Sequence, residues 1–96
     1  MGYRVLGRDK LVKFWKRHAD AKRPLEAWYQ EASQADWKTS QDIKDRYASA
    51  SFLAGNRVVF NIKGNDYRLL VQMHYQRGLA VIQKVGTHTE YDKWSL

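Results

Sequence analysis

The stretch from Arg57 to Tyr75, "RVVFNIKGNDYRLLVQMHY", constrains the fold more than any other part of the chain. Apolar residues recur at every second position on both sides of Lys63-Gly64-Asn65, a period that places them on one face of an extended strand. Gly-Asn is a recognised two-residue hairpin loop. With Gly64-Asn65 at the tip, Ile62 faces Tyr67, Phe60 faces Leu69 and Val58 faces Val71 on an apolar face. The opposite face pairs Lys63 with Asp66, Asn61 with Arg68 and Val59 with Leu70. A slip of one residue would mix the two sets, so burial itself specifies this register.

Upstream the period is helical. Tyr3 to Leu6 reads as a short first strand. From Asp9 to about Lys22, a helix puts Leu11, Val12, Trp15 and Ala19 on one face and Lys10, Lys13 and Arg17 on the other. Pro24 suits the first turn of a second helix, in which Leu25, Trp28, Tyr29 and Ala32 follow at i, i+3, i+4 and i+7. Thr39 or Ser40 caps a short third turn carrying Ile43 and Tyr47. Residues 48–56 read as a transition ending in the turn signal Gly55-Asn56. Beyond the hairpin, Gln76-Arg77-Gly78 turns the chain into Leu79 to Val85, whose register stays open by one residue. These elements imply an α+β fold, with an N-terminal strand and two helices packed on a small antiparallel sheet and a short C-terminal helical turn. The helices cover one sheet face; the other, carrying Asn61 and Arg68, is expected to be partly open. The 96 residues suit one domain, 1–96.

The net charge of +7 is concentrated at the start: residues 1–23 hold eight Lys or Arg against two Asp. Such a domain attracts phosphate polymers through counterion release. The absence of cysteine excludes disulfides and thiolate metal sites and suits a reducing compartment. "MGYRVLGRDK" has no apolar signal core, and no apolar run approaches membrane-spanning length, which points to the cytoplasm and no membrane partner. His18, His74 and His88 lack ligand spacing and no acidic cluster suits magnesium, so no metal or other cofactor is expected.

Two motifs, "VFNIKGNDYRL" (Val59 to Leu69) and "THTEYDKW" (Thr87 to Trp94), resemble the HigB family of bacterial toxins within the wider RelE-like group. The likeness extends in pattern over residues 3–95 and in residues from Asn56 onward. It implies a ribonuclease toxin, an mRNA interferase that inhibits translation by cleaving messenger RNA on the ribosome. It also implies a cognate HigA-type helix-turn-helix antitoxin. In RelE-like enzymes the ribose 2′-hydroxyl attacks the adjacent phosphate, without metal.

That chemistry needs a base, an acid and positive charge at the phosphorane. His88, at a strand end, titrates in the right range for either proton step. Tyr91 shares a face with it if the C-terminal turn is helical. Arg68 offers a two-donor fork for phosphate, and Asn61 stands opposite as its positioning neighbour or a base contact. Lys63, at the hairpin turn, is a candidate phosphate contact. Lys10, Lys13 and Arg17 form a stripe suited to RNA, and no motif places it near His88. Lys84 faces either the core edge or the site, according to register. If His88 is structural, Lys63, Arg68 and Lys84 would carry the chemistry by electrostatics. Two other readings use the same surface: a non-catalytic RNA- or ribosome-binding module, and a scaffold retained for antitoxin pairing and co-repression.

Overall fold

The hairpin forms in the register that its alternation dictates. Strands β3 (Arg57–Ile62) and β4 (Tyr67–His74) pair Ile62 with Tyr67, Asn61 with Arg68, Phe60 with Leu69, Val59 with Leu70 and Val58 with Val71. The computed structural model describes residues 2–96. Around this hairpin lie β1 (Arg4–Leu6), α1 (Arg8–Arg17), α2 (Lys22–Gln34), α3 (Ser40–Arg46), β2 (Ser51–Leu53), β5 (Leu79–Thr87) and α4 (His88–Tyr91). The α+β class stands, and the sheet is five-stranded in the order β1-β5-β4-β3-β2.

Two edge strands extend the expected meander. Residues 48–56, read as a transition, contain β2, which pairs antiparallel with β3. β1 joins the far edge parallel to β5, so the sheet is mixed. β1 falls within the expected first strand, whereas the three residues of β2 show too few alternations to reveal a period. The open register of β5 is settled by an irregularity between Leu70 and Val71: Lys84 pairs with Leu70 and Ile82 with Val71. Gln83 is the inserted residue, which flips the alternation midway along the strand.

The helices cover the face carrying Val58, Phe60, Leu69 and Val71, all fully buried. Trp28 of α2 packs edge-on against Phe60, ring centres 5.3 Å apart. Each such large side chain contributes about 1.5–3 kcal/mol through removal from water. α1 departs from its expected course. It ends at Arg17 rather than near Lys22, because His18 leaves helical geometry (φ −132°, ψ 79°) and a 3-10 turn, Ala19–Ala21, follows. The break takes Ala19 off the wheel, where it is exposed, and the face α1 buries is Leu11 and Phe14. Val12 and Trp15 are only half-buried.

The second sheet face is not open. Val59 and Leu70 are buried on it, and Arg68 is only 8% exposed. The C-terminal segment crosses this face: Tyr91 lies by Arg68 on β4, Trp94 approaches Gly86 on β5, and the Leu96 carbonyl accepts from the Arg57 guanidinium on β3 at 3.1 Å. Its first turn, α4, is started by a capping box. The Thr87 hydroxyl accepts from the Glu90 amide at 3.1 Å, and the Glu90 carboxylate accepts from the Thr87 amide at 2.8 Å. Among the described residues no helix is long and apolar enough to cross a membrane.

Candidate active site

The C-terminal turn lies close on the sheet because β5 presents glycine there. Gly86 pairs with Arg68, and a Cβ at Gly86 would stand 2.9 Å from Trp94 Cζ2 and 3.2 Å from Glu90 Cβ. This close approach carries His88 and Tyr91 over Arg68. One guanidinium nitrogen lies 2.8 Å from His88 Nδ1, and the Arg68 Cζ is 5.2 Å from the centre of the Tyr91 ring. The other terminal nitrogen donates to the carbonyls of Asn65 at 2.8 Å and Tyr67 at 3.3 Å.

Hydrogen-bond chemistry then assigns the tautomer of His88. A guanidinium only donates, so Nδ1 must offer its lone pair and the ring is neutral with its proton on Nε2. The Asp92 carboxylate stands on that Nε2 side at 3.9 Å. His88 is exposed, and it lines a groove of about 570 Å³ with His18, Asn65, Asp66, Tyr67, Thr87 and Thr89. A lone pair beside a fixed cation in an open groove is an arrangement suited to a hydroxyl next to a phosphate.

The other expected residues fall in different places. Asn61 is opposite Arg68 in register, yet its amide donates to the Ser49 carbonyl at 3.3 Å, while the Arg68 guanidinium is drawn to Asn65 and His88. The cross-strand pair therefore does not become a shared site. Arg68 is also less free than expected, since carbonyls and His88 already occupy its fork. Lys63 adopts the left-handed conformation (φ 52°) at the hairpin tip and pairs with Asp20 at 2.8 Å and Asp66 at 3.4 Å. Asp20 also accepts a hydrogen bond from the Tyr67 hydroxyl. The Lys63 ammonium first, and the Tyr67 hydroxyl second, hold the Asp20 carboxyl below its ordinary range. Lys63 thus ties the hairpin tip to the turn after α1.

The basic stripe is nearer the C-terminal turn than any motif suggests. Lys10, Lys13 and Arg17 line a second groove, about 290 Å³, together with Phe14, Lys84, Val85 and Trp94. Lys84, exposed on β5, places its ammonium 5.6 Å from the centre of the Trp94 ring. Glu90 of α4 is held below the ordinary carboxylate range, first by the Thr87 amide and also by the charges of Arg17 and His18. The sequence pattern did not reveal His18, Asn65 and Asp92 as neighbours of His88. No spacing along the chain signals His18, which arrives from α1 through tertiary packing. Asp92 was detectable, since i and i+4 share a helix face.

Among the described residues no group of three or more His, Cys, Asp or Glu side chains is placed to hold a metal ion. No curated protein matches the chain. One family model does: the HigB toxin model, described as the RelE-like toxic component of a toxin–antitoxin system, matches residues 21–94. That segment includes every strand except β1, together with Arg68, His88 and Tyr91, and with it the chain belongs to the HigB family of RelE-like toxins, whose partner in such a system is an antitoxin.

Proposed function

We propose that this toxin is a metal-independent endoribonuclease that cleaves messenger RNA on the ribosome in the cytoplasm, and that a HigA-type helix-turn-helix antitoxin neutralises it. The observation that carries this reading is the contact between the Arg68 guanidinium and His88 Nδ1 at 2.8 Å, beside an open groove. An incoming phosphate competes for that guanidinium nitrogen, because a charged acceptor binds it more strongly than a neutral imidazole does. The exchange releases the Nδ1 lone pair within reach of the neighbouring ribose. His88 then takes the 2′-hydroxyl proton while Arg68 stabilises the negative charge growing on phosphorus. The Tyr91 ring supports the guanidinium from its face. Lys10, Lys13, Arg17 and Lys84 attract the RNA strand along the second groove. Lys63 adds charge at the rim, tempered by its two carboxylates, and Asn61 takes no step.

Controlled expression with primer-extension mapping of message ends tests this directly. Wild type should generate discrete new ends, and folded His88→Ala protein at matched expression should generate none. Full toxicity and unchanged ends from His88→Ala would sink the assignment.

A further inference from the structure

The reaction proposed above consumes a base and leaves the acid unassigned. The O2′–P bond forms and the P–O5′ bond breaks, giving a 2′,3′-cyclic phosphate and a free 5′-hydroxyl. His88 gains the 2′-hydroxyl proton, and the departing 5′-oxygen must gain one from another group. His88 is placed at the attacking 2′-oxygen, and in-line displacement puts the departing 5′-oxygen on the far side of the phosphorus, so a second group must serve it.

We propose that His18, which lines the same groove, is the general acid that protonates the 5′-oxygen. This rests on the nuclease reading above and adds to it a residue outside the family-matched segment, which begins at residue 21. His18 and His88 are the imidazoles that line one groove, brought there by different elements: His18 by the end of α1, His88 by the start of α4. The His18 ring is stacked on Phe14 with centres 4.5 Å apart and lies 5.7 Å from the Tyr67 ring. The Phe14 stack engages a face of the ring and makes no use of its in-plane nitrogens. The charged groups around it are Arg17, Asp20 with its partner Lys63, Asp66 and Glu90.

The competing proton donors are otherwise occupied. The Tyr67 hydroxyl donates to Asp20, whose carboxylate pushes that phenol upward from its ordinary range. Asp66 faces Lys63, and the Thr87 hydroxyl caps α4. Asn65 has no proton in the useful range. Tyr91 lies against the Arg68 guanidinium and is the one rival that the experiment must separate.

A leaving group that needs no proton provides the test. Ribosomes are programmed with a short synthetic message whose linkage at the wild-type cut site carries either the natural 5′-oxygen or a bridging 5′-sulfur, which departs as a thiolate. His18→Phe retains the stack on Phe14 while removing the proton, and His18→Gln serves as a second variant; thermal melts establish that each is folded. Single-turnover cleavage by either variant should fall ~10²-fold on the oxygen linkage and stay within about threefold of wild type on the sulfur linkage. Equal loss on both linkages would overturn the acid role and leave His18 a packing or binding residue. Sulfur rescue of Tyr91→Phe instead would transfer the role to Tyr91. Wild-type protein that cuts neither linkage would overturn the nuclease reading itself, and the acid with it.

Discussion

Arg68 has a role that no neighbouring residue in the sequence announces. It is nearly buried, yet it satisfies the Asn65 and Tyr67 carbonyls and assigns the His88 tautomer. A lysine offers a point charge on a flexible stem and cannot reproduce that fork. Arg68→Lys should therefore lose about 1–3 kcal/mol of stability through unsatisfied carbonyls, read from denaturant melts. Its cleavage should fall as well; wild-type cleavage by a folded lysine variant would mean that Arg68 supplies only charge. Asp20 gives a second test, through pH. Its carboxyl is held low in the fold by Lys63 and Tyr67, so its stabilisation is complete above the ordinary carboxylate range and is lost as pH falls through the lowered folded value. Asp20→Asn should be less stable than wild type at neutral pH, and the gap should close on acidification. A gap of constant size across that range would show that the ion pair contributes nothing.

At the scale of elements, the C-terminal turn depends on two features of β5. One is the capping box at its end, where Thr87 and Glu90 exchange hydrogen bonds at 3.1 and 2.8 Å. Thr87→Ala should weaken the start of α4 by about 0.5–2 kcal/mol and reduce cleavage with it, because His88 is the first residue of that turn. The other is Gly86. A methyl group there would meet Trp94 and Glu90 at 2.9 and 3.2 Å, forcing the turn off the sheet and His88 away from Arg68. Gly86→Ala should stay folded in α1 to β5 yet cleave far more slowly, with faster amide hydrogen exchange confined to residues 87–96. Full activity in that variant would show that the turn needs no close seat.

Across the whole molecule, positive charge is gathered along the second groove. The net charge is +7, and Lys10, Lys13 and Arg17 from α1 meet Lys84 from β5 beside Trp94. Lys10, Lys13 and Arg17 are exposed and the same helix buries Leu11 and Phe14, so changing all three to Gln should spare the core. RNA binding should weaken for every message alike. Its dependence on log salt should become shallower by about 0.7 for each phosphate of a single strand that the variant no longer neutralises. Binding measured from low to moderate salt decides the matter, and an unchanged slope returns the stripe to solvated surface. The proximity of Arg17 to Glu90 adds a second expectation: a small effect on cleavage of bound RNA, transmitted through the C-terminal turn.

Much of this architecture follows from local rules. Alternation around Gly64-Asn65 determined which residues of β3 and β4 meet, since a strand with one buried face tolerates no slip. The helical period located α2, and the polar run after the last strand marked α4. The Gln83 insertion hid the register of β5, because alternation changes phase across it. Likewise the break at His18 removed Ala19 from the expected buried face of α1, because a helical wheel assumes that the helix continues. The site itself was only half legible. His88, Tyr91 and Arg68 carried chemical types that drew notice, and the sheet register placed Arg68 opposite Asn61. The direction in which the guanidinium then turned was decided by carbonyls and an imidazole from other segments. Side-chain types and periods are local properties of the chain; the meeting of His18 and His88 at one groove, with Arg68 against His88, is set by how separate elements pack, and that packing exists only in the tertiary structure.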